Sequence, residues 1–240
     1  MFFEKLEKLQ IVLLALILAL GLILAVKTGA NSLSNNNIMV TGSAYKIVKS
    51  DSARMEFEIT ERSASRQQAY KTVQTQLPIV KKYLADKGIT DIDVNASNGY
   101  YSYKYLPNGT VTNEVAYYNL SLPIVAKSND VQKIKDVSTD IQSLLNEGID
   151  INVINTEYFY SGLADLKVDL LKDATKDAKD RATGMLKATH NSVGKIQSVN
   201  MGVFQITPVD STNVSDMGIN DTSTIDKKVT AVANVVFRIK

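Results

Sequence analysis

Leu9 to Val26 reads LQIVLLALILALGLILAV, and Gln10 is its only polar side chain. As a helix these positions reach about 27 Å, close to the hydrocarbon thickness of a bilayer. A helix closes its backbone hydrogen bonds internally and so is stable in lipid. No other stretch approaches this apolar density. The run is apolar on every face and sits at a terminus, unlike an amphipathic core helix. The expected layout is a short cytoplasmic N-terminus over 1–8, one transmembrane helix over 9–26 that partners the lipid bilayer, a polar linker over 27–37, and a domain over 38–240.

A cleaved signal peptide and a retained signal-anchor both begin this way. The anchor fits better, because the apolar run exceeds a signal core and Glu4 and Glu7 offset Lys5 and Lys8. The free amino group tips the N-terminus inward, placing residues 28–240 in the periplasm or outside the cell. The expected location is therefore the cytoplasmic membrane, single-pass. The formal net charge is only +2 and no Lys/Arg block occurs. Capture of nucleic acid needs a concentrated positive face and is not indicated. The chain has no cysteine, which removes thiol nucleophiles and thiolate metal sites.

Hydrophobic periodicity organises the rest. Ile38–Tyr45 reads as a strand. In Asp51–Arg62, Ala53, Met55, Phe57 and Ile59 alternate with polar residues, the pattern of a half-buried strand. Ser65 and Gln68 resemble a capping box, and Tyr70, Val73, Leu77, Val80 and Leu84 predict one helix face, bent or broken at Pro78. Ile92–Tyr105 and Val115–Ala126 read as strands joined by a hairpin at Pro107-Asn108-Gly109. A second helix follows from Val131 to Leu145, stopped by Gly148. Then come a strand at Ile151–Tyr160, a long helix at about Leu163–Thr189, and strands at Val193–Phe204 and Lys227–Lys240. Between these last two, Ser211–Thr224 reads as a polar loop. Gly88-Ile89 and Gly148-Ile149 open two similar segments. The order predicts an α+β fold: an antiparallel sheet with helices packed on one face, built from two β-α-β units plus a third long helix and two C-terminal strands.

Catalytic equipment is thin. His190 is the only histidine, and no G-x-S-x-G elbow supports it. Neither a G-x-G-x-x-G nor a P-loop motif is present. Asp165, Asp169, Asp173, Asp177 and Asp180 share the long helix with lysines, a solvated face with i,i+4 pairs. Asp210, Asp216, Asp221 and Asp226 read as an ordinary polar loop. No enzyme activity, cofactor or metal is expected. The small-residue stripe Ala174, Ala178 and Ala182 allows close helix packing, within one chain by preference. Tyrosines are the unusual feature. Tyr101, Tyr103, Tyr105, Tyr117 and Tyr118 gather on the predicted hairpin. Cross-strand pairing accounts for part of this. The functional reading is an interaction surface for self-association, with an oligosaccharide or peptide groove as the alternative.

With these segments in place, the chain resembles the SIMPL-domain family, which includes the YggE-like bacterial periplasmic proteins. The resemblance rests on Val40-Thr41-Gly42 with Asp51-Ser52-Ala53, on Gly88-Ile89, on Tyr117 through Leu122, and most on Asp173 through Ala182 leading into Val193-Gly194-Lys195-Ile196. It departs at Ser50, where the family usually has proline, and at His190-Asn191, where it often has Leu-Gly. The resemblance implies an exported, non-enzymatic, oligomer-forming α+β domain, with relatives linked to envelope and oxidative-stress phenotypes. The expected function is a membrane-anchored oligomeric scaffold of the cell envelope. The alternative is a periplasmic binding protein for a glycan or peptide.

Overall fold

The computed structural model describes residues 2–33 and 36–240; within the first helix it describes the side chains of Gln10, 13–26 and Gly29. That helix, α1 (Phe2–Leu33), runs past the expected end of the apolar segment. Nothing in 27–33 is a proline, and an established helix propagates at little cost per residue. The expected linker is therefore helical over 27–33, and residues 34 and 35 lie outside the described residues. The membrane-span reading of Leu9–Val26 rests partly on residues 9, 11 and 12, whose side chains are also outside them. Among the described residues, no helix is long and apolar enough to cross a membrane. The described apolar run, 13–26, makes about 21 Å of helix, short of the roughly 30 Å hydrocarbon core.

The remaining elements follow the expected order, except that the strand expected over 92–105 is two strands, the second helix gives way to a 3-10 turn after Asp140, and two short strands lie within 205–220. They are β1 (Asn37–Lys49), β2 (Ser52–Ser63), α2 (Arg66–Asp86), β3 (Asp91–Val94), β4 (Asn98–Tyr105), β5 (Val111–Ser128) and α3 (Val131–Asp140). After a 3-10 turn come β6 (Asp150–Phe159), α4 (Leu163–Lys187), β7 (Val193–Met201), β8 (Gln205–Pro208), β9 (Ile219–Asn220) and β10 (Asp226–Ile239). The α+β class holds, but the strands form two sheets. One has the order β3-β5-β2-β6 with β4 also on β5; the other has the order β1-β10-β8-β9 with β7 also on β10. The late strands thus build a sheet of their own with β1. The short β8–β9 pairing is parallel.

By contact density the chain falls into two compact units. The larger comprises Ser43–Ala174 and Met201–Ala233; the smaller comprises Met1–Gly42, Thr175–Asn200 and Asn234–Lys240. The larger unit holds the main core. Ala53, Met55, Phe57 and Ile59 of β2 are buried beside Leu120, Leu122, Ile124 and Ala126 of β5. Antiparallel register sets these residues side by side: Phe57 faces Ile124 and Ile59 faces Leu122. Helices α2 and α3 pack against these two strands. The alternate residues Arg54, Glu56, Glu58 and Thr60 are half-buried on the other face. There Arg54 pairs with Glu157 directly across from it on β6.

Helix α2 begins at Ser65, whose hydroxyl accepts from Gln68 N at 3.2 Å. It continues through Pro78 without a break. A proline removes one intrahelical bond, and burial of Ala69, Val73, Val80 and Leu84 outweighs it. Tyr70 was expected on this face but is exposed; Ala69 and Gln76 take the buried positions. The helical stretches before β3 and β6 both close on a left-handed glycine, Gly88 and Gly148, each at φ 78°. Only glycine adopts that turn freely. In the smaller unit, Ser192 and Lys240 exchange backbone hydrogen bonds at 2.9 and 2.8 Å. Thr41 donates to the Asn234 side chain at 2.6 Å. Ala174, Ala178 and Ala182 are fully buried, so the stripe is consumed by packing in the chain itself.

Candidate functional site

The tyrosine hairpin lies in the larger unit and extends beyond its sheet. Residues 118–128 of β5 pair with β2 on one side, ending at Ser63 opposite Tyr118. Residues 111–117 pair only with β4. The sequence forces this: β2 ends where Ser65 caps the next helix, while alternation in β5 runs on. The result is a two-stranded ribbon closed by the predicted turn, in which Leu106 and Thr110 are hydrogen-bonded at 2.8 Å and Asn108 accepts from Thr110 N. The register slips between Ser102 and Tyr103 and again before Tyr105. Such bulges increase local twist.

The five tyrosines do not share one environment. Tyr101, Tyr103 and Tyr105 are exposed, as is Tyr100. Val111, Val115 and Leu106 add apolar surface around them. Tyr117 is half-buried beneath the Arg62 guanidinium, 5.5 Å from its ring centroid. Tyr118 is 4 % exposed and belongs to the core. Its ring meets that of Tyr101, directly opposite, edge-on at 4.8 Å. The pair therefore anchors the ribbon to the body, and Tyr103 and Tyr105 lie further out.

A cleft of about 700 Å³ opens beside the root of the ribbon. The first turns of α2 form one wall, through Arg66, Gln67 and Tyr70. The approach to β4 forms the other, through Ser97, Asn98 and Gly99. Tyr118 and Leu120 of β5 complete the lining. Gly99 makes a tight contact here: a Cβ would collide with the Asn119 carbonyl oxygen and the Tyr118 hydroxyl. Sequence reasoning missed this cleft, because its residues come from three separated segments with no shared motif. The sequence carries no signal for it, since Tyr70 reads there as a member of the buried face of α2.

The remaining candidates are placed plainly. His190 follows α4 at φ 60°, exposed, and its ring is hydrogen-bonded to nothing among the described residues. The acidic residues of α4 pair along the helix, Asp169 with Lys172 at 3.0 Å and Asp177 with Arg181 at 2.7 Å. Among the described residues, no cluster of three or more metal-binding side chains occurs. Asp221, read as an ordinary loop residue, is the hub of a buried polar cluster. It accepts from Ser223 N at 3.0 Å, Ser223 Oγ at 2.6 Å and the Thr224 hydroxyl. Lys227, only 3 % exposed, donates to its carbonyl at 2.6 Å and stands 3.5 Å from its carboxylate. Burial pushes the Asp221 carboxyl up, but the Ser223 and Thr224 hydrogen bonds and the Lys227 charge bring it down to about 2. Burial also pulls Lys227 below its ordinary value, against the attraction of Asp221.

Residues 38–237 match a family model described as SIMPL: Protein of unknown function (DUF541). No curated protein matches the chain.

Proposed function

The chain belongs to the SIMPL family, and from that premise we propose that it is a membrane-anchored, non-enzymatic scaffold of the cell envelope that self-associates through its tyrosine ribbon. The observation that carries this reading is the ribbon itself. A two-stranded hairpin leaves the sheet with Tyr103 and Tyr105 exposed on it and Tyr100 and Tyr101 exposed at its root. Tyrosine buries large area at small entropic cost and is enriched at contact surfaces. The outer edges of the ribbon offer unpaired backbone groups, a template for a second strand. Two ribbons meeting would join backbone to backbone and ring to ring.

Anchoring supports the same reading. Residues 13–26 of α1 are exposed throughout and apolar, so water is their least favourable neighbour. Insertion of the 9–26 segment in lipid satisfies them and holds the domain at the membrane surface, in the periplasm by the charge argument. Confinement there raises the effective concentration of one copy for another. A link to oxidative-stress tolerance rests on the family resemblance alone.

The test is sedimentation of the full chain in detergent micelles. The expected protein mass is a multiple of 26.3 kDa at micromolar concentration. Replacing Tyr101 and Tyr103 together by Ser should shift the distribution toward monomer while leaving the sheet folded. A monomer at every concentration removes the proposal.

A further inference from the structure

We propose that the outer face of β1, β10 and β7 in the smaller unit lies on the surface of the bilayer, with Met39 and Ile196 against lipid and Arg238 beside the lipid phosphates. The inference rests on the anchoring half of the proposed function and not on the tyrosine ribbon.

The register of these strands follows from their hydrogen bonds. Strand β10 has β1 on one side and β7 among its partners on the other. Ser192 and Lys240 exchange both backbone bonds, at 2.9 and 2.8 Å, which marks a directly opposite antiparallel pair. Counting in twos from that pair sets Gly194 opposite Arg238 and Ile196 opposite Val236. Gly194 agrees, since a Cβ there would meet the Arg238 carbonyl oxygen and Cβ. Toward β1, Ile239 N donates to Asn36 O at 2.8 Å and Thr41 donates to the Asn234 side chain. One antiparallel register accounts for both contacts, and it sets Met39 opposite Val236. Opposite residues share a face, and residues two apart on a strand share it too. Met39, Val236 and Ile196 therefore form one row across three strands, and Arg238 stands in the next row.

The alternate residues Val40, Val235 and Phe237 are buried on the other face. The row itself is open. Met39 is 71 % exposed and Ile196 49 %, with Val236 half-buried between them. A single exposed apolar residue is ordinary, whereas a contiguous row marks a contact surface.

Charge and reach name the occupant. Residues 36–42, 191–200 and 234–240 include Lys195, Arg238 and Lys240 and contain no Asp or Glu. Arg238 is exposed and forms no ion pair among the described residues. Such a face is attracted to an anionic lipid surface. A second copy meeting it face to face would set cations against cations. Helix α1 ends at Leu33 and β1 begins at Asn37, so the chain holds Met39 within about 21 Å of the helix end. Residues 27–33 add only about 10 Å of helix beyond the apolar segment. The row thus includes the first strand after the anchor, where the tether to the bilayer is shortest.

The experiment reconstitutes the full chain in phosphatidylcholine vesicles with and without phosphatidylglycerol. The chain has no cysteine, so Ile196→Cys takes a single fluorophore. Val214→Cys, at a position 82 % exposed in the larger unit, carries the same label as the reference. Nitroxide lipids at headgroup level are the quencher. With phosphatidylglycerol present, the Ile196 label should be quenched and the Val214 label should not. Arg238→Gln should lower the ratio of docked to undocked domain about fivefold, the effect of one cation at an anionic surface. Equal quenching of the two labels overturns the proposal, as does quenching unchanged by Arg238→Gln. A blue-shifted Ile196 label that the lipid nitroxides leave bright overturns it too and assigns the row to a protein contact. Flotation of the same vesicles separates the two readings. Chain that floats with its Ile196 label unquenched leaves the anchor standing and this proposal fallen; chain that does not float removes both.

Discussion

Asp51 holds Ser161 by three contacts: the Ser161 N–H is shared between its two carboxylate oxygens at 3.0 and 3.1 Å, and the Ser161 hydroxyl donates at 2.6 Å. Asp51 N in turn donates to Phe159 O at 2.9 Å. The aspartate thus ties the entry of β2 to the exit of β6, 110 positions away in sequence. Asp51→Ala should cost about 1–2 kcal/mol, the range of hydrogen bonds to a charged group discounted for exposure. Asp51→Asn should recover part of it. Urea unfolding of the two variants checks the order.

Gly99 admits no side chain. Gly99→Ala drives a methyl group into the Asn119 carbonyl and the Tyr118 hydroxyl. The expected loss is about 1–3 kcal/mol, typical of overpacking. Because the strain falls at the root of the ribbon, hydrogen exchange of residues 100–105 should accelerate more than that of β2. Uniform acceleration would place the strain elsewhere.

The Asp221 cluster predicts an acid-side loss of stability. The carboxyl is held at about 2 against an ordinary 3.8, so the unfolded chain takes up its proton first. The stabilisation is complete above that ordinary value and is lost as pH falls from about 4 toward about 2. Thermal melts over this window should steepen relative to those of Asp221→Asn. Parallel curves for the two proteins would mean that the cluster does not carry the effect.

Ala178 lies fully buried in the alanine stripe of α4. Ala178→Leu should destabilise the fold by several kcal/mol, beyond the usual 1–3 for overpacking, because three added carbons have nowhere to go. Ala178→Gly should cost about 1 kcal/mol through helix propensity. Circular dichroism melts of both variants separate the two effects.

His190 has the only positive φ, 60°, among the described non-glycine residues. A left-handed backbone costs an L-residue roughly 1 kcal/mol. His190→Gly should therefore raise the melting temperature slightly, and a fall would show that the histidine ring makes a compensating contact.

Several strand and helix identities were legible because burial in β2, β10 and the second half of β5 alternates and burial in α2 follows the helical repeat. The alternation in β2 and Val73, Val80 and Leu84 of α2 carry their own evidence, whereas Ala69 and Gln76 hold the places that Tyr70 and Leu77 were expected to take. Which sheet a strand joins was not legible, since alternation names a buried face and not its neighbour. Thus β10 could be read as a strand from Lys227 to Lys240, yet its pairing with β1, β7 and β8 could not. The tyrosines illustrate the same limit. Composition marked the hairpin, but only the register separates Tyr118, facing Ser63 and the core, from Tyr105 near the tip. Asp221 was invisible because its importance comes from Lys227 folding back onto it. The cleft was invisible because it belongs to three segments at once.

The 18-residue strand β5 serves the body with its second half and the ribbon with its first. Side chains alternate with a period of two along it. Relatives can therefore vary the reach of the ribbon and keep the same rings facing outward only by even steps: two residues in each strand preserve every outward ring, whereas one residue inverts the whole tip. Length variation in this hairpin should obey that parity.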